Sequence, residues 1–230
     1  MSRPFIEAAH AEHPSLLDPT HQLDALFGVV NIPNVVWIDE NGIIVRPAEP
    51  GWPGPQEYPE AMKQRLADRA RKAADAVEAN DPSERPNLMR LLRGGQDRET
   101  YPDAIRDWAR NGASSQYAMA SAEVIAGSQP RRVESSRAAA HFELANHFWR
   151  TGQRDSAIRH FNDCHRLEPD NWTYKRQAWS LVGNERAGGG EFGRFSQVPI
   201  RGEEADWPFI SNFDADVAQL QPGQYYPNTM

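Results

Sequence analysis

The chain has 230 residues, of which 39% are hydrophobic, and a mean hydropathy of -0.72, which fits one large or two small globular units with modest cores. A net charge of -7 argues against nucleic acid or an anionic membrane as the main partner, because both reward clustered Lys and Arg. No apolar run reaches the roughly 18 residues of a membrane span. The N-terminus lacks a signal-peptide core, so a cytoplasmic location is expected.

The spacing of Phe5, Ala8 and Ala9, with Pro4 at the first turn, predicts an amphipathic helix over 3–12. Ser15-Leu16-Leu17 reads as a short strand, and Asp18-Pro19 as a turn or helix cap. A second helix is expected over 20–28, with Leu23, Leu26 and Phe27 on its apolar face and Gly28 as the stop. Val35-Val36-Trp37-Ile38 is β-branched, aromatic and short, hence a buried strand. Asp39-Glu40-Asn41-Gly42 follows, with the Asn-Gly pair that favours tight hairpins, and Ile43-Ile44-Val45 should pair back. Asp39 and Glu40 are therefore read as hairpin residues rather than an acid/base pair.

Pro14 to Asp18, Phe27-Gly28-Val29, Ile32-Pro33-Asn34 and Ile38-Asp39 through Val45 follow one another in an order that resembles the second half of a thioredoxin fold of the TlpA/ResA type. The resemblance covers residues 3–47. It implies that Pro33 is cis and that the backbone of Ile32 pairs with an extended substrate segment by strand addition. Ile32, Pro33 and Asn34 are thus the candidate peptide-binding residues, although the family usually has Thr where Asn34 stands. The half of the fold that would carry Cys-x-x-Cys has no counterpart in the sequence. One expectation is that the chain has no redox centre. The other is a longer protein whose Cys or selenocysteine motif lies upstream of Met1.

A Pro/Gly-rich linker is expected over 48–58 and a helical region over 59–182. Met62, Leu66, Ala70, Ala73 and Val77 mark a helix over 59–79, where Arg65, Arg69, Arg71 and Lys72 form a solvated face. Leu88, Leu91 and Leu92 mark another that ends at Gly94-Gly95. Ile105 and Trp108 mark a helix over 102–111 that stops at Gly112, and an Ala-rich one spans 114–126.

Residues 138–171 resemble one tetratricopeptide repeat, with Leu144, Ala145, Phe148, Ala157, Phe161 and Pro169 on the signature positions and Gly152 in the turn. His141 stands where Trp is common, and Cys164 where a small Ala is common. The resemblance makes the six signature residues the candidate repeat groove. A further helix is expected over 172–182, with Trp172, Trp179 and Leu181. The stretch 183–230 reads as an irregular tail whose Trp207, Phe209, Tyr225 and Tyr226 pack on the body.

The overall expectation is an α+β chain: a partial thioredoxin-like hairpin followed by an α-helical tetratricopeptide-like region. No cofactor and no metal are expected. His10, His13 and His21 lack accompanying ligands, and His160 and His165 are five apart and do not share a helix face. Gly188-Gly189-Gly190 follows no strand, so phosphate binding is not expected. Cys164 reads as a buried hydrophobe, and no Ser/His/Asp grouping is legible. Three functions are in play: a non-catalytic protein- or peptide-binding module, a thiol- or selenol-dependent oxidoreductase with its motif elsewhere, and a scaffold without ligand.

Overall fold

A computed structural model describes residues 3–51 except 9, 11 and 19, together with 60, 64, 100–128, 130–186, 195, 198–199, 204–221 and 223–226. The expected helix at 59–79, apart from residues 60 and 64, the one around Leu88–Leu92, the basic run at 65–72 and the Gly188–Gly190 run lie outside the described residues. Among the described residues the chain is mixed helix and strand, with eight α-helices and one two-stranded antiparallel hairpin. The helices are α1 (Arg3–Ala8), α2 (Gln22–Phe27), α3 (Thr100–Asn111), α4 (Ser121–Gly127), α5 (Val133–Arg150), α6 (Arg154–Leu167), α7 (Trp172–Arg186) and α8 (Phe213–Ala218). The strands are β1 (Val35–Ile38) and β2 (Ile44–Glu49).

Helix α1 is shorter than expected because His10 takes a left-handed backbone with φ of 49°, which does not continue a right-handed helix. The strand expected at Ser15–Leu17 is absent. These residues form no ladder, and Leu16 is 82% exposed. A strand needs a neighbour for its backbone groups, and the hairpin does not extend to this segment. Asp18 instead caps α2, its carboxylate accepting the Gln22 and Leu23 N–H groups at 3.0 and 2.7 Å. Gly28 ends α2 in the left-handed conformation at φ 71°.

The hairpin turn differs from a two-residue Asn-Gly turn, because only Gly42 adopts positive φ. Gly42 N–H donates to the Asp39 carbonyl, and Asp39 N–H to the Ile43 carbonyl. The Asp39 carboxylate also accepts the Asn41 and Ile43 N–H groups at 2.9 and 2.8 Å. The loop is therefore a longer one closed by an Asp side chain. Strand β2 runs past Val45 to Glu49. Val35 faces Glu49 while Trp37 faces Arg46, so one extra residue is absorbed at Pro47-Ala48. A bulge is where a strand tolerates proline.

Two cores result. In the first, Trp37 and Val45 of the hairpin pack on Tyr101 and Ala104 of α3. Trp37 stacks on Trp108 at 4.9 Å and donates its indole N–H to the Tyr101 hydroxyl at 2.9 Å. Beneath it Arg46 grips Glu49 through two bonds of 2.7 and 2.8 Å. The second core is larger and aromatic. It is built by α5, α6 and α7, and Phe209, Phe213, Val217, Tyr225 and Tyr226 close it from the C-terminal segment. That segment is anchored by polar bonds as well. Asn162 donates to the Pro208 carbonyl and accepts from Ile210 N–H, and Trp179 and Trp207 both donate to the Ser211 carbonyl.

Candidate functional site

The Ile32-Pro33-Asn34 loop begins beyond α2 and ends where β1 starts. Its Ile32–Pro33 peptide bond is cis. The loop lies against the N-terminal turn of α7, where orphan N–H groups need acceptors. The Val30 carbonyl supplies one, accepting from Trp172 and Thr173 N–H at 2.7 and 3.2 Å. The buried Asn31 side chain donates to the Tyr225 carbonyl at 2.7 Å. The Ile32 carbonyl accepts from the Tyr226 hydroxyl at 2.6 Å and from Arg176 at 3.4 Å, while Ile32 N–H donates to the Asn31 side chain. Both backbone groups that would pair with an added strand are thus engaged within the chain.

The surroundings are imperfectly satisfied. The described residues include four buried side-chain polar atoms without a hydrogen-bond partner: Asn34 Oδ1, Thr173 Oγ1, Arg176 Nε and His165 Nε2. The first three belong to the loop or to residues in the first turns of the helix it rests on. An unpaired buried polar atom costs about 1–3 kcal/mol, so such atoms are uncommon and each calls for a physical reason. Arg176 is held between the Phe195 and Tyr225 rings, each 5.1 Å from the guanidinium. The Ile32 side chain remains 51% exposed.

The repeat-groove residues divide. Ala145, Ala157 and Phe161 are fully buried, so they build the α5–α6 seam and touch no partner directly. Small residues there let the helices approach, and Phe161 fills the space beside Phe142, 6.0 Å between ring centroids. Phe148 is half-buried and stacks on His160, whereas Leu144 and Pro169 are exposed. Gly152 makes the inter-helix turn at φ 80°. The thiol of Cys164 is fully buried, and burial raises its pKa far above the ordinary thiol value. A thiol held protonated is neither nucleophile nor metal ligand. His21 caps nothing with its side chain. It bonds Asp24 at 2.7 Å and meets the edge of Phe142.

Two groupings join residues far apart in sequence. Ser211 Oγ lies 2.9 Å from His165 Nδ1. Burial, reinforced by Lys175 and Arg166, pushes the His165 pKa down to about 3. So weak a base cannot activate a hydroxyl near neutral pH, and the pair is a packing contact. It borders a cleft of about 500 Å³ whose wall also includes Pro169, Trp172, Lys175 and Asp216. Lys175 and Asp216 are themselves paired at 2.6 Å. The second grouping is His141 with His160 and Asp163. Spacing along the sequence relates His160 only to His165 on its own helix. The repeat register, which lays α5 antiparallel to α6, is the sequence signal that pairs it with His141.

Comparison with protein-family models, curated proteins and solved structures gave no match. No helix among the described residues is long and apolar enough to cross a membrane.

Proposed function

We propose that this chain is a protein- or peptide-binding module whose binding face is centred on Ile32, Pro33 and Asn34. The thioredoxin-like and tetratricopeptide-like readings belong to the same proposal. The observation that carries it is the set of unpartnered buried polar atoms, Asn34 Oδ1, Arg176 Nε and Thr173 Oγ1, gathered around a loop with an exposed Ile32. An extended backbone supplies N–H and C=O groups in the alternation such atoms need. The apolar surroundings agree. Among the described residues, nine of the thirteen exposed large apolar side chains fall between Leu16 and Ile43, and apolar surface concentrated in one stretch marks an interaction face. Tyr226 holds the Ile32 carbonyl in the free chain, so an incoming strand must displace it.

The test is fluorescence anisotropy of the full chain against a library of extended, apolar-rich peptides. A bound peptide should lose about tenfold in affinity, equivalent to roughly 1.4 kcal/mol, with Asn34→Ala and with Ile32→Ala. Ile125→Ala should leave it unchanged. A chain that binds none of the library, or loses affinity equally at all three positions, sinks the reading.

The second reading is the thiol- or selenol-dependent oxidoreductase whose reactive group lies outside this sequence. The poorly covered apolar stretch around Leu16 and Leu26 favours it, since a missing sheet partner would bury that stretch. Intact mass and N-terminal sequencing of the protein from its source cells decide between them. A longer protein with a Cys or selenocysteine motif makes the loop one wall of a redox site.

A further inference from the structure

We propose that His141, His160 and Asp163 form a binding site for one divalent transition-metal ion, zinc foremost, which clips α5 to α6. Their ligand atoms all lie within 4.8 Å of one another. Two come from α6 at i and i+3, which places them on one face, and the third projects from the antiparallel α5. His141 Nδ1 is 2.8 Å from His160 Nδ1 and 3.7 Å from Asp163 Oδ2. Tetrahedral zinc with bonds near 2.0–2.1 Å separates its ligand atoms by about 3.3 Å. The two distances from His141 bracket that value and the third pair lies within 4.8 Å, so side-chain adjustment brings all three atoms into range.

The supporting groups are arranged as ligands require. Asp163 Oδ1 accepts a hydrogen bond from Arg166, which leaves Oδ2 turned toward His141. The His160 ring is stacked on Phe148 at 5.4 Å and 15°. Such outer contacts orient metal ligands. The 2.8 Å contact between the two Nδ1 atoms needs a proton on one of them. A metal ion takes that proton's place when the tautomer changes to Nε2–H. Two imidazoles and one carboxylate suit zinc, nickel or copper(II) better than magnesium or calcium. All three residues are half-buried, so water can fill the remaining coordination position.

Cobalt(II) titration of the full chain reads the site directly, because its visible spectrum reports ligand type and coordination number. One ion per chain is expected, with imidazole-type bands that zinc displaces. His141→Ala, His160→Ala and Asp163→Asn should each weaken uptake at least roughly ten- to hundredfold. His13→Ala should not, and it separates this site from the N-terminal histidines. Zinc at a hundred times its Kd should shift the folding equilibrium about hundredfold and raise the Tm. That rise should vanish in His160→Ala. Circular dichroism of each metal-free variant shows whether it has folded, and Asp163→Asn decides if a histidine variant has not. No uptake by the wild type, or equal uptake by the wild type and every folded site variant, overturns the site.

Discussion

The helical region from Val133 to Tyr226 and the stretch from Leu16 to Ile43 both carry many large apolar residues, but they use them in opposite ways. In the first, Phe142 is stacked on Tyr174 at 4.3 Å, Phe161 is fully buried, and the C-terminal segment lays Phe209, Phe213, Tyr225 and Tyr226 over the helices. In the second, Leu16, Leu17 and Leu26 are exposed, and the backbone at 15–17 has no ladder. The hydrophobic effect acts equally on both. The difference is that α5, α6 and α7 present complementary faces to one another, whereas the segment around α2 meets the helical region at few points, His21 on Phe142 and the Val30 carbonyl on the α7 terminus. On the proposed reading exposed apolar surface is where a partner docks, whereas buried apolar surface holds the chain together.

The largest expected effect lies in the aromatic core. Phe161→Ala should cost about 3–5 kcal/mol in chemical denaturation, through lost burial and the cavity left against Phe142 and Phe209. A loss under about 1 kcal/mol would show that this core collapses around the gap, and the contrast between regions would weaken. In the hairpin core, Glu49→Ala removes the carboxylate that takes two bonds from Arg46. The guanidinium stays buried with less compensation, so the expected cost is about 3 kcal/mol. Separate unfolding transitions for the two variants, followed by Trp fluorescence, would establish the cores as independent units.

Acid should attack the helical region before the hairpin. The His165 pKa falls from 6.5 to about 3 in the folded chain because burial disfavours its charged form. The unfolded chain therefore binds the extra proton between those values. His165 contributes stability fully above pH 6.5 and loses it as pH falls toward 3, at about 1.4 kcal/mol per pH unit. Two carboxylates act at lower pH. Asp39 is held low chiefly by the Ile43 N–H. For Asp18 burial raises the pKa, and hydrogen bonds from Leu23 and Gln22 outweigh it. Both start below the ordinary carboxylate value of 3.8, so they support folding above it and lose that contribution beneath it. A melt series from pH 6.5 down to 4 thus reads His165 together with His160, whose pKa burial also lowers. His165→Asn should flatten the series, and an unchanged slope would refute the assignment.

Gly51→Ala should act more weakly and only on the hairpin core. A Cβ there would stand 2.3 Å from Val35 Cγ2 and 2.8 Å from the Tyr101 hydroxyl. Overpacking of this kind costs about 1–3 kcal/mol. An unchanged unfolding midpoint would mean that the strand end and α3 are not tightly joined.

These effects also show which parts of the chain its sequence made legible. Strong local patterns survived folding: the β-branched run at Val35–Ile38, Gly28 as a helix stop, Gly152 in the turn between α5 and α6. Weak ones did not. Ser15–Leu17 has strand-like composition, but a strand exists only with a neighbour, and a neighbour is a tertiary fact. The turn at Asp39–Gly42 kept its position and changed its form, because the Asp39 side chain competed for the backbone donors. The grip of Tyr226 on Ile32 and the pairing of His141 with His160 join residues 194 and 19 positions apart. No local spacing records the first, and only the repeat register of α5 and α6 carries a trace of the second.

The smallest effect on folding separates the regions most sharply. Leu26 is 76% exposed on α2, so Leu26→Ser should change stability by less than about 0.5 kcal/mol. The same substitution in a buried position would cost several times more. If Leu16, Leu26 and Ile32 belong to one binding face, Leu26→Ser should nonetheless weaken a peptide that Ile32→Ala weakens. Stability unchanged and affinity reduced is the signature of an interface. A Leu26→Ser chain that instead loses about 2 kcal/mol of stability would show that α2 is part of the folded core, and the exposed stretch would then be a covered one.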